Sequence, residues 1–151
     1  MNDKETAVLL SLRPHWWEKI AAGEKTLEIR KTYPKRFEFS WRFRVLVYVT
    51  GGAGVCGEFT CKHVHKIRTI PEVQRVAGSP LGEKFSVERE SCLDEKQLEE
   101  YAGGKGWPLW GWQVADVKVY DTPRPLQAYG ISRPPQSWQY IKIEKRSEKR
   151  E

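Results

Sequence analysis

The stretch LLSLRPHWWEKIAAGEKTLEIRK, residues 9–31, decides the fold because its hydrophobic pattern changes twice. An apolar run from Ala7 to Leu12 has the composition of a buried strand. Pro14 then stands where the first turn of a helix tolerates proline, and Gly23 stands where helices commonly end. From Lys25 the apolar residues recur every second position. The stretch therefore predicts a strand, a helix and a second strand in succession.

The second half of this stretch, GEKTLEIRK, carries an unusual density of charge. Leu27 and Ile29 share one face of the predicted strand, while Glu28 and Arg30 share the other. In a regular strand Lys25 faces away from Glu28 and Arg30. The three side chains converge only if Lys25 still belongs to the turn, or if a bulge intervenes.

The bulk composition is that of a globular protein with a polar surface. The 151 residues suit one domain, which we place at residues 1–143, followed by a charged tail at 144–151. No apolar stretch approaches the roughly 20 residues of a membrane helix. Three cysteines favour a reducing compartment over a disulfide framework. We therefore expect a cytoplasmic protein that does not bind membranes.

Basic residues are concentrated in the first third of the chain. Between Arg13 and Arg44 there are nine bases and four acids, so this span carries +5 of the formal net charge of +6. A local positive field attracts polyanions and speeds their encounter.

The rest of the chain is predicted to be mostly strands. RFEFSWRFRVLVYV (36–49) alternates like a strand or strand pair, although its first part has a loop alternative, and its aromatic face is read mainly as core. A glycine-rich turn leads into VCGEFTCKHVHKI (55–67), and residues 69–82 read as loop. Helices are predicted near 82–89 and from an Asp94 cap to Gly103. Strands are expected again in QVADVKVY (113–120) and WQYIKI (138–143). This order indicates an α+β, barrel-like single domain.

The opening stretch resembles the start of ASCH domains, whose signature is similar to G-x-K-x-x-E-x-R. Gly23, Lys25, Glu28 and Arg30 match it in full. The segments GWQVADVKVYDTPRPL and PPQSWQYI also resemble bacterial and phage members. The resemblance covers roughly residues 7–143. It implies a PUA-like β-barrel with a helix after the first strand and one or two further helices.

The resemblance implies a role in RNA metabolism or regulation, and in some members an enzymatic activity. Some small ASCH proteins remove the acetyl group from acetylated cytidine nucleosides, and a ribonuclease activity has been attributed to others. In the first type the motif lysine is catalytic, which corresponds to Lys25 here. A further catalytic glutamate is matched best by Glu90. Glu28 stands where those enzymes have threonine, which puts the same deacetylation in doubt.

The motif has a chemical reading that does not depend on the family. Glu28 could activate water, Lys25 could hold a developing oxyanion, and Arg30 could grip a phosphate or carboxylate with its planar fork. The plainer alternative is a charged, exposed strand face that pairs with its neighbours.

Several other residues are candidate ligand contacts. Basic side chains that could reach phosphates are Lys31, Arg36, Arg42 and Arg44. Trp17, with Trp16, Trp107, Trp110 and Trp112, could line a pocket for a planar base, although packing is the usual role of tryptophan. Gln136 and Ser137 could form a pocket wall. Cys61, His63 and His65 alternate on one predicted strand face but lack a second ligand pair, so we expect no metal and no cofactor.

The sequence therefore favours a domain that binds RNA or a nucleotide or nucleoside ligand. A small hydrolase, acting as an amidohydrolase on an acetylated cytidine-type nucleoside or as a ribonuclease through Lys25 and Glu28, is the first alternative. A protein-interaction adaptor is the second. The sequence leaves the oligomeric state open.

Overall fold

Six strands form one mixed sheet in the computed structural model, which describes residues 3–40, 42–68, 86–103 and 106–145. The elements, in chain order, are β1 (Lys4–Leu12), α1 (Pro14–Ala21), β2 (Leu27–Arg30), a 3-10 helix (Lys35–Phe37), β3 (Phe43–Val49), β4 (Gly54–Ile67), α2 (Val87–Ser91), α3 (Glu95–Ala102), β5 (Leu109–Arg124), a second 3-10 helix (Leu126–Tyr129) and β6 (Trp138–Glu144). The predicted α+β class is confirmed.

The strand order across the sheet is β2-β5-β4-β3-β1-β6. β1 and β3 run parallel, and the other neighbouring strands are antiparallel. The parallel pair needs a crossover connection, and α1 with β2 lies within it. As a result, β2 and β6 are the two edge strands.

β1 lies at the centre of the molecule because both of its faces are covered. Val8, Leu10 and Leu12 pack with Trp17 and Ile20 of α1 in the main core. The intervening Ala7 and Leu9 pack on the opposite side, in a second apolar cluster under β6 and the second 3-10 helix. Burial on both faces explains why this strand reads as a continuous apolar run rather than an alternation.

The sheet curls until its two edges approach each other. Arg30, the last residue of β2, donates a hydrogen bond to Ser137, which directly precedes β6 (Nη2 to Oγ, 2.6 Å). The Trp138 indole donates to the Thr32 hydroxyl at 2.9 Å. Side chains rather than a strand ladder join these edges within the described residues. We call this junction the seam; it gives the sheet its barrel-like form.

The aromatic segment before β3 is not the strand that its alternation predicts. β3 begins only at Phe43, whose partner is Cys61 of β4. Upstream, Pro34 leads into the 3-10 helix, and Phe37 reaches the core by stacking on Phe43, with ring centroids 4.9 Å apart. Phe39 is fully exposed. The loop alternative is therefore correct for this part, and the assignment of Phe39 to the core is wrong.

The second half of β4 also departs from the predicted pattern. Phe59 and Cys61 are buried as expected, but the register against β5 shifts between Cys61 and Val64. The irregularity turns Val64 inward and leaves His63 exposed. A bulge reverses which residues face the core, so the predicted common face of Cys61, His63 and His65 does not form.

The predicted ends of α1 and α3 are confirmed, whereas α2 runs to Ser91, two residues past its predicted end. α1 starts at Pro14, and Gly23 follows it with a positive φ of 82°. α3 has the expected Asp94 cap, reinforced by Gln97 in a capping box. The helix expected near 82–89 is seen only from Val87, and the predicted loop at 69–82 lies outside the described residues. No described helix combines the length and apolar character needed to cross a bilayer.

Candidate functional site

A cavity of about 420 Å³ opens beside the seam. Its walls are the ends of β1 and β3, the start of α1, the β2 strand and one face of α3. The main polar groups that line it are Lys25, Glu28, Arg30, Gln97, Tyr101 and Gln136. Strand ends, a helix start and a helix face thus supply a concave surface on which charged, polar and apolar side chains are mixed.

Lys25, Glu28 and Arg30 form a continuous ionic triad in this cavity. Lys25 Nζ lies 3.7 Å from Glu28 Oε1, and Arg30 Nη1 lies 2.9 Å from Glu28 Oε2. The side chains of Lys25 and Glu28 are 3% and 6% exposed, and that of Arg30 is 14% exposed. The carboxylate therefore stands between two cations, with little access to water.

Lys25 joins the triad because it precedes the regular strand. Its backbone N–H donates to the Lys19 carbonyl of α1 at 3.1 Å, which extends the turn after the helix by two residues. β2 starts at Leu27, so Lys25 does not obey the strand alternation. The turn arrangement that the sequence left open is the one the structure adopts.

Two further groups lie next to the Lys25 ammonium. Nζ donates a hydrogen bond to the Ser91 carbonyl oxygen at 2.5 Å and lies 4.8 Å from the centre of the Trp16 ring. Burial lowers the pKa of Lys25 below its usual 10.5, because desolvation disfavours the ammonium; Glu28 acts in the opposite direction. The lysine is thus a group whose protonation state is set by the site.

Arg30 connects the cavity to the seam. One end of its guanidinium contacts Glu28 and the other contacts Ser137. Its Nε is buried and has no hydrogen-bond partner within the described residues. Gln136, one residue before Ser137, also lines the cavity. Both residues predicted to form a pocket wall therefore lie at the site.

The end of α2 clamps the segment that carries Lys25. Glu90 is hydrogen-bonded twice to Thr26: its carboxylate accepts the hydroxyl, and its carbonyl accepts the N–H at 2.8 Å. Ser91 accepts from Lys25, and the Cys92 thiol donates to the Glu24 carbonyl at 3.4 Å. Three successive residues of one segment thus hold three successive residues of the other. Glu90 itself is not among the cavity-lining residues and is placed to orient Thr26.

The remaining candidate residues lie outside the cavity. Trp17 is buried in the main core and packs against Gly57. Arg44 is engaged by Glu58 and Glu5 on the far side of the sheet, at 2.8 and 3.2 Å. Arg42 and Lys31 are exposed, and Lys31 Nζ lies 5.1 Å from the centre of the Tyr101 ring. Of the five tryptophans considered for a base pocket, only Trp16 lines the cavity.

The sequence reasoning missed the contribution of α3. Leu93, Gln97 and Tyr101 recur every four residues and line the cavity together, while Leu98 and Ala102 pack on the β2–β5 face. This i, i+4, i+8 spacing was the available signal. Burial raises the pKa of Tyr101, so its hydroxyl stays protonated and can donate a hydrogen bond.

The histidine and cysteine residues of β4 do not build a metal centre. In the part of the chain that the structure describes, no three His, Cys, Asp or Glu side chains are grouped to hold an ion. Burial raises the pKa of the Cys61 thiol to about 12, which disfavours the thiolate that a metal would need.

Comparison with solved structures identifies the fold. The chain matches the ASCH protein of Zymomonas mobilis with a TM-score of 0.67 and 22% identity, covering 89% of this chain and 86% of the other. A tyrosine-to-phenylalanine variant of that protein gives 0.67 and 21% over 89% and 88%; a serine-to-alanine variant gives 0.65 and 20% over 89% and 87%. Neither protein-family models nor curated proteins give a match. The chain thus shares the ASCH fold.

Proposed function

We propose that this ASCH-fold domain binds a nucleotide unit, either free or within an RNA chain, in the cavity beside the seam. The observation that supports the proposal best is the buried triad of Lys25, Glu28 and Arg30 in a cavity of about 420 Å³. Ligand sites in proteins commonly measure about 300–1,000 Å³ and combine apolar walls with a few convergent polar groups.

The charge balance of the cavity suits a phosphate or another polar oxygen. Arg13, Lys25 and Arg30 contribute three positive charges against the single carboxylate of Glu28. The guanidinium of Arg30 is held on both sides, and an arginine fixed in this way can present its planar fork to a phosphate without further ordering.

The other walls suit a nucleobase. Gln97 and Gln136 each offer both a donor and an acceptor, and Tyr101 offers a donor. Such groups can read the hydrogen-bonding edge of an unpaired base. The Trp16 indole supplies an apolar wall beside them. A mixed polar lining of this kind favours a ligand over an adaptor surface, for which we would expect an apolar or featureless cleft.

Calorimetric titration with nucleoside monophosphates tests the proposal. The change from Arg30→Gln should weaken binding at least about tenfold, because charge-assisted bonds to a buried group are worth about 1.5–3 kcal/mol. Arg42→Gln is the matched control: it removes the same charge from an exposed position away from the cavity and should bind like the wild type. Equal affinity of the two variants for every nucleotide would contradict cavity binding.

Hydrolysis is a second candidate function, favoured by the state of Lys25. A lysine whose pKa is lowered by burial, 3.7 Å from a carboxylate, can exchange a proton closer to neutral pH than an ordinary lysine. In this scheme Glu28 takes a proton from water, the oxygen attacks an amide carbonyl held near Lys25, and the C–N bond breaks as the nitrogen is protonated.

Incubation with acetylated cytidine and, separately, with single-stranded RNA tests this second candidate. Glu28→Gln keeps the shape of the site but removes the base, and Lys25→Met removes the ammonium; both should abolish turnover. Glu24→Gln, an exposed carboxylate paired with Lys19 at 3.1 Å, is the control and should remain active. Turnover that persists in Lys25→Met would exclude this mechanism.

A further inference from the structure

The seam continues from the cavity along the start of β6. Gln136 lines the cavity, Ser137 bonds Arg30, and Trp138 follows with its indole on Thr32. From Ser137 to Tyr140 the strand rises roughly 10 Å, at about 3.3 Å per residue. A ligand that leaves the cavity along this line reaches the loop that follows β2.

Half-buried aromatic rings border this path. Trp138 and Tyr140 lie edge to face, with ring centroids 5.3 Å apart. The guanidinium of Arg36 stands 5.0 Å from the centre of the Tyr140 ring, and its backbone N–H donates to the Tyr140 hydroxyl at 3.1 Å. Arg36, within the 3-10 helix, is thereby fixed against β6, and its positive charge lies at the seam.

The loop after β2 carries positive charge that the protein does not neutralise. Lys31, Lys35 and Arg36 are exposed, and none of them forms an ion pair within residues 3–40, 42–68, 86–103 and 106–145. Arg44, by contrast, is held between two carboxylates. Phe39, on the same loop, is fully exposed. Cations beside an exposed aromatic ring match a polyanion whose bases can stack.

We propose that Lys31, Lys35, Arg36 and Phe39 form a seam face that binds a single-stranded nucleic acid running on from a nucleotide in the cavity. The cations contact backbone phosphates, and Phe39 stacks on a base. The inference rests on the proposed function for the identity of the anchored unit. It goes further by assigning a polymeric ligand and the direction in which that ligand leaves the site.

Fluorescence anisotropy with a labelled RNA octamer, beside calorimetry with the mononucleotide, tests the seam face. The octamer should bind more tightly than the mononucleotide, and its affinity should fall with salt. Lys35→Ala with Arg36→Ala should weaken octamer binding about tenfold and flatten the plot of log K against log salt by about 1.4, since each single-strand phosphate contact contributes about 0.7. Phe39→Ala should weaken it at least about fivefold, the lower limit for one stacked base. Mononucleotide affinity should not change.

Two matched controls distinguish binding at the seam face from a general effect of net charge or of exposed apolar side chains. Lys118→Glu, on the exposed part of β5, lowers the net charge by two, as the double variant does, and Val119→Ala trims another exposed apolar side chain. Both should leave octamer binding intact. An octamer that binds no better than the mononucleotide, or equal losses in Lys118→Glu and the double variant, would overturn the seam face.

The same measurements distinguish the seam face from the proposed function. Mononucleotide binding without any gain from the octamer would leave the cavity site standing and exclude the surface. Octamer binding that depends on Arg36 and Phe39 but not on Arg30 would support the surface and contradict both the cavity site and the path that leads from it. If sedimentation shows a dimer that Phe39→Ala dissociates, the exposed ring belongs to a contact between copies and the nucleic-acid assignment of Phe39 is wrong.

Discussion

The buried ammonium of Lys25 is stabilised by three neighbouring groups. Its ammonium has a carboxylate at 3.7 Å, a carbonyl oxygen at 2.5 Å and an aromatic face at 4.8 Å. These partners offset part of the desolvation that lowers its pKa. The local sequence predicted that Lys25, Glu28 and Arg30 could meet, but not whether they do. The outcome depends on two backbone hydrogen bonds, from the Lys25 N–H to Lys19 of α1 and from the Thr26 N–H to Glu90 of α2.

The pH dependence of stability follows from this burial. The folded-state pKa of Lys25 lies below the unfolded value, so folded molecules lose the proton first as pH rises. The unfolded state then binds more protons, and the free energy of unfolding gains a positive contribution up to about the ordinary lysine value of 10.5. Relative to Lys25→Met, wild-type stability should therefore increase with pH across this alkaline window.

Urea denaturation of the two proteins at several pH values checks this expectation. Subtracting the variant from the wild type cancels the titration of the other lysines and tyrosines. A difference that is flat, or that falls as pH rises, would mean that the Lys25 pKa is not lowered in the folded protein.

Packing between elements depends on glycine where α1 meets the sheet. A β-carbon on Gly57 would lie 2.4 Å from the Lys118 carbonyl oxygen and 2.6 Å from the Trp17 ring. Only hydrogen fits there, so the helix can lie directly on β4. The sequence suggested Trp17 as a ligand contact. In the structure it packs α1 against β4.

Gly57→Ala should destabilise the protein by about 2 kcal/mol or more, because neither the strand backbone nor the enclosed indole can move freely. Gly111→Ala is the matched comparison: the nearest atoms to its β-carbon would be side-chain atoms of Leu27, at 3.0–3.2 Å, with no backbone atom among them, so the change should cost less. Thermal or urea unfolding measures both. Equal losses would show that α1 does not limit the space at Gly57.

Element boundaries were predictable where a local signal exists, and uncertain where pairing decides. Pro14, Gly23 and the Asp94 cap mark helix ends through their own chemistry. The start of β3 at Phe43 depends instead on a partner strand that lies about 20 residues away. In the same way, the register shift after Cys61 arises from pairing with β5, and no residue near it in the sequence indicates the shift.

At the scale of the whole molecule, two ionic networks lie at separate places on the sheet. The Lys25 triad lines the cavity. The other network joins four strands: Arg44 of β3 contacts Glu5 of β1 and Glu58 of β4, and Tyr120 of β5 donates to Glu58 at 2.7 Å. This second network is not part of the cavity and ties strands together.

Glu58→Gln should therefore reduce stability without affecting the ligand. Removing the buried carboxylate leaves Arg44 with Glu5 and the Glu144 carbonyl oxygen, and losing the buried partner of an ion pair typically costs about 3 kcal/mol. Glu5→Gln, whose side chain is 35% exposed, should cost under about 1 kcal/mol. Urea denaturation and nucleotide titration together check this. A folded Glu58→Gln protein with weakened nucleotide binding would show that the two networks are coupled.

The overall architecture was only partly readable from the sequence. The succession of strands and helices indicated an α+β barrel-like domain, and the fold confirms it. The strand order was not readable, because β1 pairs with β3 and with β6, across very different separations. For the same reason the site could not be assembled from the sequence, because Arg30 and Ser137, which are hydrogen-bonded, are 107 positions apart.

The pairing of β1 with β6 also has a consequence for synthesis on the ribosome. β1 emerges well before β6, so the edge of β1 that pairs with β6 stays unpaired until Trp138–Glu144 has been translated. Contacts between such distant segments form late and slow the folding of a chain. Gln136 and Ser137 directly precede β6, and Trp138 begins it, so a nascent chain stopped before this segment lacks one wall of the cavity. Ligand-binding competence should thus be acquired only after β6 has paired with β1.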